Sequence, residues 1–265
     1  MPENKESSEN MNKESSTEEK GMAIETTFID KISTEYAVIG KNLVKDYEIG
    51  DFIVRAVDNV SISIYNGEFL VIKGPSGAGK TSLLNLFGGL DTPNSGVIYS
   101  FGVKISDMKE ESLTIWRLLN SGFIFQNYNL ISTLTAEENV MFPMNLSGVY
   151  FKEQRKRAKE LLTKMGLEDR KEHLPFQLSA GEQQRVAIAR ALANDPPMIL
   201  ADEPTANLDK NTSQFIRDLF KDLKDSVRTI IIATHDDYLI NLADRIISFY
   251  DGKIVGEDVI TDFKK

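Results

Sequence analysis

The octapeptide GPSGAGKT at residues 74–81 constrains what this chain can fold into more than any other segment. It matches the P-loop pattern G-x-x-x-x-G-K-[ST] at every position. In this pattern the glycines let backbone N–H groups turn toward phosphate oxygens, the lysine supplies a point charge, and the final hydroxyl suits Mg²⁺. The apolar segment 68–73 favours a buried strand before the loop, and segment 82–87 favours a helix after it. The sequence therefore predicts a phosphate-binding α/β fold rather than an incidental glycine-rich turn.

Strand-like and helix-like segments alternate along the rest of the chain. Strands are predicted at 60–64, 69–72, 96–99, 198–201, 229–233 and 246–250, and helices at 107–120, 135–166, 185–193 and 212–223. Asp251 and Gly252 form a tight-turn signal that leads from the last strand into another at 253–255. This alternation after a P-loop predicts a mostly parallel sheet with helices on both faces.

Composition excludes several classes of protein. A net charge of −9 over 265 residues argues against a broad basic face for nucleic acid, so no nucleic-acid partner is expected. The absence of cysteine rules out disulfides and cysteine metal sites. No apolar run approaches the ~18–20 residues that cross a bilayer, and the polar start of the chain carries no secretory signal.

The charge is concentrated at the N-terminus. Residues 1–35 hold nine acidic residues and four lysines, and most of the others are Ser, Thr or Asn. Such a segment cannot bury a core, so we predict a disordered acidic tail over 1–35. The alternative is an arm that binds a partner.

Two further motifs fit phosphate chemistry. Asp202 and Glu203 follow an apolar strand, and ligands collect where parallel strands end. One carboxylate there can serve Mg²⁺ while the other takes a proton from water, although an acidic strand exit alone is common. Ser179 and Glu182 have the spacing of a capping box, which is a structural signal, but a helix start also offers N–H groups to a phosphate.

Five motifs in order resemble those of ABC-type ATPases. They are GPSGAGKT (74–81), Gln126 in FIFQNYNL (123–130), LSAGEQQR (178–185), ILADEPTANLD (199–209) and THD (234–236). Their order and spacing are those of the Walker A, Q-loop, signature, Walker B with D-loop, and H-loop segments. The resemblance covers about residues 36–258. The phrases YEIG (47–50), before a loop to Ala56, NLFGGLD (85–91) and LTAEENV (134–140) further resemble the MacB/LolD type of lipoprotein-release and macrolide-export ATPases.

The resemblance implies a fold and a division of the chain. It implies an α/β P-loop NTPase with a RecA-like, mostly parallel sheet, an antiparallel β subdomain and a helical lid at about 127–180. Residues 36–265 would then form one ABC ATPase domain.

The same resemblance implies a role for each site residue. Glu203 would be the general base, His235 would steady the γ-phosphate and the attacking water, and Gln126 would be a catalytic residue that also contacts Mg²⁺. Mg²⁺ would also be held by Thr81 and Asp202. ATP would be bound by Tyr47 at the adenine, by the loop residues Gly74, Pro75, Ser76, Gly77, Ala78, Gly79, Lys80 and Thr81, and by Ser82. Ser179, Gly181 and Asp209 would contact the ATP held by a second copy.

The implied function is ATP hydrolysis by a transporter subunit that forms a homodimer on ATP binding. Its partner would be a membrane permease of the FtsX/MacB type, and the subunit would be cytoplasmic, peripheral on the inner face of the cell membrane. The alternative is a soluble ABC ATPase that acts on nucleic acid or ribosomes, which the single nucleotide domain and acidic charge disfavour. A non-catalytic ATP-binding regulator is disfavoured because Glu203, Gln126 and His235 are all present.

Two further expectations concern the signature, where this chain departs from the family pattern, and the surface that would bind a permease. Ala180 stands where the family more usually has Gly, so its methyl group is expected either to crowd the γ-phosphate or to be harmless at negative φ. An apolar groove for a permease helix is expected after Gln126, at Tyr128, Leu130, Ile131, Leu134, Met141, Phe142 and Met144, although any one of these could belong to the lid core.

Overall fold

A six-stranded, mostly parallel sheet runs through the centre of the computed structural model, which describes residues 35–261. The predicted tail therefore lies outside the described residues apart from Glu35. The strands are β3 (Phe69–Lys73), β6 (Ser121–Ile124), β7 (Met198–Asp202), β8 (Thr229–Ala233), β9 (Arg245–Tyr250) and β10 (Lys253–Val259). They lie in the order β10-β9-β3-β8-β7-β6, and only the β9–β10 pair is antiparallel. The predicted tight turn joins that pair, with positive φ at Asp251 and Gly252.

A second, antiparallel sheet contains β1 (Tyr36–Ile49), β2 (Phe52–Tyr65), β4 (Ser95–Ser100) and β5 (Val103–Lys104), in the order β2-β1-β4-β5. This confirms the antiparallel β subdomain. The loop predicted between 50 and 56 is wrong, because Phe52 already pairs with Ile49 across a turn at Gly50, where φ is +60°. The strands of this hairpin are thus 14 residues long each.

Seven helices occur among the described residues. They are α1 (Lys80–Phe87), α2 (Glu110–Asn120), α3 (Ala136–Leu146), α4 (Phe151–Lys164), α5 (Ala180–Ala191), α6 (Lys210–Lys224) and α7 (Asp237–Asn241), with 3₁₀ turns at Ile105–Asp107, Glu168–Arg170 and Pro175–Gln177. The single helical stretch predicted at 135–166 is wrong, since Gly148 takes φ +77° and separates α3 from α4. Within 35–261 no helix has the length and apolar character of a membrane span.

The central sheet is buried on both faces. Along β3, Phe69 and Val71 pack into one apolar cluster with α3, α4, α5 and α6, whereas Leu70 and Ile72 pack into another with α1 and the antiparallel sheet. This alternation follows from the two-residue period of a strand, and it explains why the strands read as continuous apolar runs. The carboxyl ends of β3, β7 and β8 consequently meet at one edge of the sheet, where the P-loop begins.

Candidate functional site

The P-loop is held by close contact with two backbone carbonyls. A Cβ at Gly74 would lie 2.0 Å from the carbonyl oxygen of Phe249, and one at Gly79 would lie 1.9 Å from that of Ala56. Gly79 also takes φ +98° as the residue that precedes α1. Gly74 therefore requires glycine because a side chain has no space there, and Gly79 requires it for both space and backbone conformation.

Lys80 lies over this loop with its side chain almost fully buried. Its Nζ donates hydrogen bonds to the carbonyl oxygens of Gly74 at 2.7 Å and Pro75 at 3.0 Å. The ammonium group is thus held at the mouth of the turn by neutral acceptors. A phosphate oxygen would be a stronger partner, because it would compensate the positive charge.

Thr81 and Asp202 connect the P-loop to the end of β7. Thr81 Oγ1 donates a hydrogen bond of 2.7 Å to Asp202 Oδ2. Burial raises the pKa of Asp202, and the nearby charge of Glu203 raises it further, against the hydrogen bond from Thr81 and the charge of Lys80. A carboxylate in such surroundings has incomplete compensation for its negative charge, which favours a cation beside it.

Glu203 and His235 form the other pair at this edge. Glu203 has φ +46°, and its N–H donates to the carbonyl of Ala233 at 2.8 Å, which fixes the turn after β7 to the end of β8. Nδ1 of His235 lies 3.0 Å from the Glu203 carboxylate. Because an ionised carboxylate only accepts, Nδ1 carries the proton in this pair. The next residue, Asp236, accepts from Thr205 at 2.8 Å and from Arg217 at 2.9 Å and so holds the histidine segment in place.

A cavity of about 700 Å³ brings most of the predicted site residues together. Its lining includes Tyr47, every residue of 74–82, Gln126, Asp202, Glu203 and His235. It also includes five residues that the sequence did not predict, namely Val54, Arg55, Ala56, Asp251 and Gly252. The first three lie in the half of β2 for which the sequence predicts a loop, and the β-branched and aromatic residues of FIVRAV at 52–57 are the signal that could have found them.

Tyr47 is fixed at one side of this cavity. Its hydroxyl donates to Asp91 Oδ2 at 2.9 Å, and Lys45 Nζ lies 5.1 Å from the ring centroid while it also binds Asp91. Burial raises the pKa of the Tyr47 hydroxyl, and the charge of Asp91 adds to that effect. The aromatic ring is therefore held rigidly as a possible stacking surface.

Ser179, Gly181 and Asp209 lie outside that cavity, at the starts of two helices. Ser179 caps α5 in the predicted capping box with Glu182, and Asp209 caps α6 by accepting from the N–H groups of Asn211 and Thr212. Ser179 and Asp209 are exposed. Ala180 is also exposed and has negative φ, so its methyl group causes no backbone strain in this subunit.

A separate apolar groove of about 360 Å³ lies between α3 and the central sheet. It is lined in part by Leu90, Phe123, Phe125, Ile131, Phe142 and Leu146. Only Ile131 and Phe142 of the predicted groove residues are among those that line it. The prediction is wrong for Met141 and Met144, which are buried in the lid core, and for Leu130, which packs against that core.

Positive φ values explain that error. Tyr128 takes φ +61° and Asn129 takes φ +48°, and Arg190 donates hydrogen bonds to both of their carbonyl groups. The chain therefore turns sharply just after Gln126. The side-chain amide of Asn139 in α3 then hydrogen-bonds both the backbone N–H and the backbone carbonyl of Ile131. The side chain of Ile131 consequently reaches the groove.

Comparison with known proteins gives a consistent result. The model of the ABC transporter family matches residues 57–206. An uncharacterized ABC transporter ATP-binding protein of Thermotoga maritima is 47% identical over 212 residues, which span 80% of this chain and 91% of that protein. The lipoprotein-releasing system ATP-binding protein LolD of Bacteroides thetaiotaomicron is 46% identical, over 76% of this chain and 93% of its own length. The macrolide export ATP-binding/permease protein MacB of Hyphomonas neptunium is also 46% identical, over 82% of this chain but only 34% of its own length.

A solved structure is similar over the whole of its length. The ATP-binding cassette MJ0796, from Methanocaldococcus jannaschii, in its dimeric post-hydrolysis state bound to ADP and Pi, is 44% identical. The TM-score is 0.80, and the match covers 85% of this chain and 100% of that one. The two chains therefore share one fold over the whole of the neighbour's length.

Proposed function

The chain belongs to the ABC transporter family as an ATP-binding subunit that hydrolyses ATP, and on that premise we propose that two copies close head to tail over two ATP molecules to drive a separate permease. One observation carries the proposal. A single cavity joins the P-loop, Asp202, Glu203 and His235, whereas Ser179 and the other signature residues lie outside it. Each copy would therefore supply the catalytic half of one site and the covering half of the other. A soluble ABC ATPase that acts on nucleic acid or ribosomes is not favoured, because the named relatives are transporter subunits.

The P-loop would hold the phosphates of ATP. Backbone N–H groups of residues 74–81 and the start of α1 offer partial positive charge. Lys80 would exchange the carbonyl oxygens of Gly74 and Pro75 for β- and γ-phosphate oxygens. Tyr47 would stack on the adenine, and Ser82 would lie near the α-phosphate.

The donor set suits Mg²⁺. Thr81, Gln126 and Asp202 offer hydroxyl, amide and carboxylate oxygens, which are the ligands that Mg²⁺ prefers. Among residues 35–261 no group of three His, Asp or Glu residues could hold a metal by itself. Mg²⁺ would therefore arrive with ATP and complete its coordination with phosphate oxygens and water. The cation would then neutralise charge on the transferred phosphoryl group.

Glu203 would act as the general base. Its carboxylate would accept a proton from the attacking water, and the His235 Nδ1–H that faces it would keep it in one orientation. With Nδ1 facing Glu203, Nε2 is the ring nitrogen that His235 would present to the γ-phosphate. Gln126 lines the same cavity and would assist catalysis through its contact with Mg²⁺.

Replacing the proposed base tests this function. We expect Glu203→Gln to bind ATP with unchanged affinity and to hydrolyse it about 10²–10⁴-fold more slowly, which is the usual contribution of general-base catalysis. With the γ-phosphate intact, the variant should accumulate as an ATP-bound dimer. Steady-state hydrolysis and size-exclusion chromatography with and without ATP give the two measurements.

The control for this experiment is Glu48→Gln, on the exposed end of β1, which should behave as wild type. Wild-type rates in Glu203→Gln would remove Glu203 from the role of base. A variant that binds ATP, fails to hydrolyse it and yet stays monomeric would contradict the head-to-tail pair.

The apolar groove would receive the permease. A cytoplasmic helix of an FtsX/MacB-type permease could lay its apolar face on Phe123, Phe142 and Leu146. The name of the MacB relative, ATP-binding/permease protein, supports a partner of this kind, since this chain matches only a third of it. Attachment through the groove would place the subunit on the inner face of the cell membrane.

A further inference from the structure

Gln184, one turn into α5, is a buried glutamine that the roles above do not use. Its side chain is 1% exposed, and its Nε2 donates a hydrogen bond of 2.9 Å to the carbonyl oxygen of Pro204. Pro204 directly follows Glu203. A single side chain thus ties the helix that begins with the signature to the turn that carries the base.

The amide of Gln184 is only half satisfied. Its Oε1 is buried and has no hydrogen-bond partner within the described residues. A buried carbonyl without a partner costs free energy, and an apolar side chain of similar size would remove that cost but leave the Pro204 carbonyl unpaired in its place. Stability alone therefore does not account for glutamine here, whereas a role in positioning the Pro204 carbonyl does.

A second contact, between Gly181 and Thr212, also links the start of α5 to the segment that follows Glu203. A Cβ at Gly181 would lie 2.6 Å from Thr212 Oγ1, so the signature backbone rests directly on Thr212. That hydroxyl donates a hydrogen bond of 2.6 Å to Asp209 Oδ2. Both ends of the segment from Glu203 to Thr212 are consequently held against the first turns of α5.

From these contacts we propose that Gln184 is a positioning residue that couples the two ATP sites of the pair. This inference rests on the proposed function. In the head-to-tail pair, the start of α5 contacts the ATP held by the partner subunit, while Glu203 of the same copy acts on its own ATP. When α5 moves onto the γ-phosphate of the partner subunit's ATP, Gln184 carries that movement to the Pro204 carbonyl. The movement thereby sets the orientation of Glu203 at the ATP of its own subunit.

The test is Gln184→Leu, which keeps the volume of the side chain and removes both amide atoms. We expect an unchanged melting temperature, because one unpaired carbonyl, Pro204's, replaces another. We expect kcat to fall about 10- to 100-fold, since a base misplaced by ~1 Å loses rate on that scale. The Hill coefficient for ATP should fall toward about 1, whereas two coupled sites allow values up to about 2.

Pairing is measured separately, so that a loss of coupling is distinguished from a loss of dimer. In the Glu203→Gln background, adding Gln184→Leu should leave the ATP concentration needed for dimerisation unchanged. Failure of Glu203→Gln itself to pair would overturn the proposed function, and this inference with it.

A matched control and a second variant complete the experiment. Gln154 is also a buried glutamine that donates to a backbone carbonyl, that of Val149, but it lies in the lid, and Gln154→Leu should leave kcat and the Hill coefficient unchanged. Thr212→Val removes the hydroxyl bond to Asp209 at nearly constant shape and should lower the Hill coefficient in the same direction. The inference is overturned if Gln184→Leu has the same kcat and Hill coefficient as Gln154→Leu. If Gln184→Leu does not fold, Thr212→Val takes its place in this comparison.

Discussion

Individual residues of the site are held by backbone geometry that their chemistry does not reveal. The sequence identifies Glu203 as a carboxylate at the end of a strand, but its φ of +46° depends on the hydrogen bond between its N–H and Ala233 of another strand. A left-handed conformation at a non-glycine residue costs roughly 1–2 kcal/mol, and here it aims the carboxylate at His235. Long-range pairing of this kind cannot be predicted from local sequence.

The P-loop glycines permit a sharp prediction at the same scale. Gly79→Ala would force a methyl group against the Ala56 carbonyl, 1.9 Å away, in addition to the cost of φ +98°. The loop must then move off β2, and ATP affinity should fall by at least about tenfold, more than 1.4 kcal/mol. Nucleotide titration of the folded variant measures this.

Gly166→Ala is the matched control for that substitution. Gly166 has φ +67° but no atom within 4 Å of an added Cβ, so the change should cost only about 1 kcal/mol of folding free energy and leave ATP affinity unchanged. ATP binding by Gly79→Ala at wild-type affinity would mean that contact with Ala56 does not fix the loop.

At the scale of elements, strong local patterns were sufficient for β3, β7, β8 and the helix after the P-loop. Each of these strands is apolar except at one end, and their predicted bounds differ from the observed ones by at most one residue. Of the β1–β2 hairpin, local sequence predicts only the strand at 60–64. The register of the hairpin shifts at several points, and Asn42 takes φ +51°, so the two-residue period is interrupted. The four residues of β6 are too few for periodicity to identify a strand.

The groove shows the same limit for a functional surface. Apolar residues after Gln126 are dense, but only the helical phase of α3 decides which of them face outward. Phe142 and Leu146 are four residues apart and share one face, with exposures of 41% and 58%, whereas Val140 and Met144 point into the lid core. Once the start of α3 is known, this division follows from the 3.6-residue period.

That division yields a test of the permease contact. Phe142→Asp places a charge in the apolar groove, so it should weaken recovery of a co-expressed permease by about tenfold or more while nucleotide affinity stays unchanged. Pull-down from detergent-solubilised membranes and nucleotide titration are the paired measurements. Val255→Asp, on the exposed face of β10 at 63% exposure, is the control. Equal permease recovery from both variants would place the contact elsewhere.

At the scale of the whole molecule, the order of five motifs was enough to indicate the family and its fold. What motif order does not reveal is which motifs share one cavity. The structure brings four of the five together in one cavity and leaves the signature, at the start of α5, outside it. This separation depends on packing between distant segments.

The disorder of the acidic tail at residues 1–35 remains a prediction, and deletion tests it. Deletion of residues 1–30 should change the melting temperature by no more than about 2 °C and leave the ATPase rate unchanged, because a segment of this composition has little to bury. Thermal unfolding and steady-state hydrolysis measure both. A large drop in either would show that the segment packs on the core, and a loss of permease recovery alone would favour a partner-binding arm.

The placement of Ser179 and Gly181 outside their own subunit's cavity has a consequence for how idle copies behave. In the proposed pair, a solitary subunit can hold ATP but lacks the half-site that would complete its hydrolysis, so newly made or surplus copies leave the nucleotide pool untouched. Tethering two copies to one permease would raise their effective concentration to about the millimolar range. Assembly with the permease would then switch on ATP hydrolysis. Hydrolysis would be confined to assembled transporters without a dedicated inhibitor.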